Sequence, residues 1–156
     1  MFLQSQSTAS PAGAAGGRDE RRRKNGNFKH KKIINSDIHK VWETVLAVDE
    51  YSAWRSDLSK TETVNETRFI EYAKDGYATT FTVTVIEPYK RWEFDMENSN
   101  MKGHWVGIFT SKGNETQIDF TESVIPKKWF MMPFIKSYLK KQQAQFVLDL
   151  KQAVED

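Results

Sequence analysis

The stretch from Ile34 to Trp54, INSDIHKVWETVLAVDEYSAW, decides the fold of this chain. Ser36 is a favourable helix N-cap, and Asp37 then sits in the first turn, where a carboxylate complements the positive end of the helix dipole. Ile38, Val41, Trp42 and Val45 follow at i, i+3, i+4 and i+7, so they share one face of a helix that runs to about Ala47. That stripe needs an apolar surface opposite it, and a sheet is the expected partner. Asp49 predicts the cap of a second, short helix holding Tyr51 and Trp54.

The flanking sequence supplies the sheet. Upstream, Phe28 to Asn35 reads FKHKKIIN, a charged run ending in two isoleucines, as expected of a first strand at a sheet edge. Downstream of Asp57 the apolar period becomes two. Strands are predicted at about 58–64, 67–74, 77–87, 90–98, 101–112 and 116–124, with turn signals such as Asp75-Gly76, Pro88-Tyr89 and Gly113-Asn114 between them. Phe81, Val83 and Val85 alternate with Thr80, Thr82 and Thr84, and Trp92, Phe94 and Met96 alternate with Glu93, Asp95 and Glu97. One face is apolar and the other wet, which predicts an antiparallel meander covered on one side.

From about Lys128 the period returns to that of a helix. Ile135, Leu139, Phe146, Leu150 and Val154 form a stripe, and Pro133 is expected either to start this helix or to kink it. A helix reaching Val154 would span about 30 Å, long enough to cross the concave face of a seven-stranded sheet. The fold class read from these periods is α+β: a curved antiparallel sheet, two short helices, and a long C-terminal helix over the concave face.

Length and composition bound the rest. A chain of 156 residues fits one domain. Residues 1–27 read as a disordered basic tail and 28–156 as the folded unit, because Gln4 to Gly17 is a Ser/Ala/Gly/Pro run without periodicity. The formal net charge of +2 conceals an asymmetry: residues 1–32 carry eight Lys or Arg against two Asp or Glu. Basicity therefore belongs to the tail, and a nucleic-acid-binding domain is not expected. The run RDERRRKNGNFKHKK, Arg18 to Lys32, reads as a solvated linker; an arm for phosphate or an anionic surface is the alternative, but no aromatic is interleaved among its basic residues from Arg18 to Lys24 for base stacking. There are no cysteines, which excludes disulfides and thiolate chemistry. With no secretory h-region and no apolar run near the ~18 residues a span requires, the protein reads as soluble and cytoplasmic, without stable membrane insertion.

Ile34-Asn35, the capped helix with Val41-Trp42, and then Tyr51 and Trp54 resemble the opening motif of the START-like, or Bet v 1-like, superfamily (SRPBCC), which includes polyketide cyclases/dehydrases and lipid-transport proteins. The resemblance covers about residues 28–154. It implies a helix-grip fold with a cavity between sheet and long helix. Ser36-Asp37 stands where the family frequently has an Ala-Pro step, a change that leaves a cap in place.

No catalytic cluster accompanies the fold. His30, His39 and His104 lack the spacing of a local metal site, and no P-loop, GxGxxG or GxSxG is present. His39 reads as a surface residue and His104 as outward-facing. We expect no metal and no cofactor. Glu122 shares parity with Ile118, Phe120 and Val124, which offers it an inward place as a polar anchor or general base in a dry pocket; the alternative is a strand-end carboxylate that reaches solvent or pairs with a lysine of the last helix. The candidate ligand-binding residues are Trp54, Tyr72, Phe81, Trp92, Phe94 and Trp105, with Val83 and Glu122 from the sheet and Ile135 and Leu139 from the long helix. The expected function is binding of a hydrophobic small molecule, a lipid, isoprenoid or aromatic metabolite, without catalysis. An aromatase/cyclase-type enzyme and an Hsp90-activator-like interaction module are the alternatives. The sequence leaves the oligomeric state open.

Overall fold

A computed structural model describes residues 26–155. Residues 1–25 of the expected N-terminal tail lie outside the described residues. Strand β1, Gly26–Ile34, begins two residues before the expected onset of order at Phe28. Helix α1, Ile38–Leu46, a 3-10 turn at Val48–Glu50 and the one-turn helix α2, Tyr51–Trp54, follow. Then come β2 (Leu58–Thr63), β3 (Arg68–Ala73), β4 (Ala78–Glu87), β5 (Arg91–Glu97), β6 (Met101–Lys112) and β7 (Glu115–Pro126). A 3-10 turn at Trp129–Met131 leads into α3, Met132–Val154.

All seven strands form one antiparallel sheet, in the order β1-β7-β6-β5-β4-β3-β2, with α3 lying over it in the helix-grip arrangement. At 23 residues α3 is about 34 Å long. Pro133 falls in its first turn, where a missing N–H costs nothing, so it starts the helix.

Two capping expectations are corrected. The N-cap of α1 is Asp37, whose Oδ1 accepts from the N–H groups of His39 at 2.9 Å and Lys40 at 3.1 Å. Ser36 is drawn inward, where its carbonyl accepts from the buried Thr116 hydroxyl at 2.8 Å. Asp49 caps nothing; its carboxylate accepts from Thr63 instead. The predicted alternation of β4 is corrected too. The register slips between Val83 and Val85, placing Val85 opposite Glu93 and Ile86 opposite Trp92, so the strand's side-chain parity shifts by one beyond the bulge, where Ile86 is 52% exposed.

The core has two parts. The larger joins the stripe of α1 (Val41, Trp42, Val45) to the sheet aromatics and to Val147, Leu150 and Val154 of α3. The smaller is Met101, Val124, Ile135 and Leu139 at the other end of the helix. Aromatic rings tile the concave face: Phe94 stacks on Trp105 with centroids 4.8 Å apart, and Phe69 on Phe81 at 4.9 Å. Gly107 makes this tiling possible, since a Cβ there would lie 2.3 Å from the Trp105 ring. At the β4–β5 turn, Tyr89 adopts φ 62°, a conformation costly for a residue with a side chain. Its ring lies edge-on to His39 at 4.6 Å and 5.9 Å from Trp42, so packing against α1 holds the turn.

Candidate ligand-binding cavity

Between the two core clusters the helix and the curved sheet part, leaving a cavity of about 170 Å³. Its walls are mainly aromatic: Phe69, Phe81, Trp92, Phe94, Trp105 and Phe120 from the sheet and Phe146 from α3. The exposed lining residues Tyr77, Tyr138 and Gln142 mark where it meets solvent.

Two polar groupings interrupt this wall. The first is Glu122 of β7 facing Gln143 of α3, whose Nε2 donates to Glu122 Oε2 at 3.1 Å. Burial pushes the Glu122 carboxyl up to about 7, against the opposing pull of the Gln143 hydrogen bond. Gln143 is only 5% exposed, and its amide oxygen has no hydrogen-bond partner among the described residues. A buried amide oxygen without a partner costs stability, so this position is not there for packing.

The second grouping is ionic. Arg55, just after α2, donates from Nη1 to both oxygens of Glu71 at 2.8 and 3.1 Å, and from Nε and Nη2 to Asp57 at 3.1 and 2.8 Å. Its guanidinium lies 5.1 Å from the ring centroids of both Tyr51 and Phe146. Burial would depress the Arg55 pKa, but Glu71 and Asp57 outweigh it and raise it. Burial likewise raises Glu71, with Arg55 opposing. Asp149 of α3 fixes the loop that carries Arg55, accepting from the Ser56 N–H and hydroxyl at 2.8 Å each.

Of the sequence candidates, Phe81, Trp92, Phe94, Trp105 and Glu122 come together on the cavity wall. Five do not line it, and each has a local reason. Trp54 packs edge-on against Tyr51 and Phe146, both at 5.5 Å. Tyr72 follows the inward Glu71 and so faces the opposite side, where it meets Glu62 at 3.1 Å and lies under the Lys60 ammonium at 4.6 Å. Val83 packs into the larger core, while Ile135 and Leu139 belong to the smaller cluster that closes one end of the space.

Arg55, Glu71 and Gln143 also line the cavity and are not among the sequence candidates. Period two from Phe69 points Glu71 inward, and the helical stripe runs through Gln143 between Leu139 and Phe146, so both had a signal. Arg55 had none. His104 stands on the outer face between Glu93 (2.9 Å) and Asp95 (2.6 Å), and His39 is exposed.

The Glu122 environment predicts a pH dependence. A carboxyl with a native pKa near 7 and an ordinary unfolded value stabilises the native state fully below about 4.5, and that contribution is lost as pH rises through 7. Glu122→Gln, which cannot ionise, is expected to be more stable than the parent at pH 8 by on the order of 2–3 kcal/mol, with little difference at pH 4.5. Urea unfolding of both proteins across this range measures it; parallel curves would place Glu122 in a solvated environment.

The family model described as polyketide cyclase / dehydrase and lipid transport matches residues 26–155. Solved structures share the fold at low identity. A START superfamily protein from Mycobacterium smegmatis superposes with a TM-score of 0.75 at 11% identity, covering 83% of this chain and 97% of that one. The ZhuI aromatase/cyclase from Streptomyces sp. R1128 gives 0.64 at 12% identity, covering 81% and 89%. The di-domain aromatase/cyclase StfQ of steffimycin biosynthesis gives 0.71 at 14% identity over 90% of this chain and 54% of that one. None of the curated proteins matches the sequence.

Proposed function

Because the chain belongs to the polyketide cyclase/dehydrase and lipid-transport family, we propose that it binds a small hydrophobic molecule bearing one polar group in the cavity beneath α3. The observation that carries this reading is an aromatic-walled space into which one buried amide oxygen, that of Gln143, projects without a partner. Apolar walls with a few fixed polar groups are the usual composition of small-molecule sites. A ligand hydroxyl can donate to the Gln143 oxygen, and a ligand oxygen can accept from protonated Glu122. The size and flat ring surfaces favour a compact aromatic or isoprenoid over a full-length acyl chain.

The test is titration calorimetry with 1-naphthol, which has two fused rings and one hydroxyl. Binding in the micromolar range is expected, a free energy of about −8 kcal/mol. Ala73, half-buried on the cavity wall, allows a control: Ala73→Phe fills part of the space and is expected to weaken binding about tenfold or more. If neither 1-naphthol nor decanoic acid binds the folded protein, the cavity is not a ligand site.

A second reading has its own support. A carboxyl titrating near 7 is matched to proton transfer at neutral pH, so Glu122 can serve as general acid or base toward a bound substrate. That is the aromatase/cyclase-type alternative. A turnover that falls at least about a hundredfold in Glu122→Gln while 1-naphthol still binds would support it.

A further inference from the structure

The described surface carries one concentration of exposed apolar side chains. Trp129 is 85% exposed, Phe134 71% and Phe130 56%, all within the 3-10 turn and the first turn of α3. Large rings left this bare carry an unfavourable hydration cost, which the edge-on contact of Trp129 with Phe130, centroids 6.2 Å apart, offsets only in part. The same stretch has an unusual charge. Residues 127–148 contain five lysines and no Asp or Glu, whereas the rest of residues 28–156 holds 13 Lys or Arg against 19 Asp or Glu. Lys127 is paired with Glu97 at 2.8 Å, but Lys136, Lys140 and Lys141 are exposed and form no ion pair among the described residues.

We propose that this basic aromatic lobe, Lys127 to Lys141, docks the protein peripherally on an anionic lipid bilayer. Charge complementarity selects that occupant. Protein interfaces are depleted in lysine, and a second copy of this chain would bring five lysines against five. A bilayer interface accommodates both halves of the feature: Trp and Phe settle at the headgroup boundary, and each lysine gains from the negative surface potential. The lobe also adjoins the cavity, since Tyr138, one turn after Phe134, lines it and remains 45% exposed. Docking there would face the opening toward the lipid. The proposal rests on this surface and stands whether or not the cavity binds a ligand.

The experiment is sedimentation of the full chain with phosphatidylcholine vesicles containing phosphatidylglycerol, against phosphatidylcholine alone, at low and high salt. Binding to the anionic vesicles is expected, weakening as salt rises. Trp129→Ala with Phe134→Ala, and separately Lys136→Glu with Lys140→Glu and Lys141→Glu, are each expected to lower the partition coefficient about tenfold or more. These positions are exposed, so the thermal midpoint should hold. Equal binding by parent and variants would overturn the proposal and assign the affinity to the basic N-terminal segment. A parent that fails to sediment would overturn it too, as would a dimer abolished by Trp129→Ala, which would assign the lobe to self-association.

Discussion

Arg55→Met is expected to destabilise the protein by about 3–5 kcal/mol, although methionine matches the apolar length of the side chain it replaces. Arg55 and Glu71 are both buried, with side chains 8% and 9% exposed, and the guanidinium holds Glu71 through two hydrogen bonds. Removing the cation leaves a carboxylate inside an aromatic wall. That carboxylate must then either keep an uncompensated charge or take up a proton. Asp57, the other partner, is 30% exposed and water can solvate it in place of the guanidinium. The double variant Arg55→Met/Glu71→Leu removes both charges and is expected to recover most of the loss. Urea unfolding of parent, single and double variants decides the matter. A single-variant cost below about 1 kcal/mol, or a double variant no better than the single, would mean that water reaches Glu71 and that the pair is not a buried one.

Trp42→Ala carries a comparable cost, about 3–5 kcal/mol, through a different mechanism. Trp42 is 6% exposed and seats α1 on the sheet, edge-on to Phe109 with centroids 5.1 Å apart. Deleting the indole leaves a void that the tightly packed Val41 and Val45, both fully buried, have little freedom to fill. The loss extends to the β4–β5 turn, because the Trp42 ring is part of what holds Tyr89 in its positive-φ conformation. Thermal and urea unfolding should agree on the cost. A loss under about 1 kcal/mol would show that α1 is only loosely seated.

Local periodicity by itself determined the order of elements, the two helical stripes and the inward aromatics of β5, and it offered Glu122 an inward place as one of two alternatives, because each depends only on residues a few positions apart. Even Pro133 at the start of α3 was legible as one of two alternatives. The tertiary structure alone decided the rest. The bulge after Val83 arises from pairing with β5 and reverses the expected side of Val85. The need for Gly107 arises from where the Trp105 ring lies. Arg55 meets Glu71 sixteen residues away, and Gln143 meets Glu122 across twenty-one, contacts that exist only once helix and sheet are assembled. The cavity was expected from the family resemblance, but its place and walls are of the same kind: it is the space left where a straight helix departs from a curved sheet between two core clusters. Periodicity states which face of each element is apolar, and packing alone states where two such faces fail to meet.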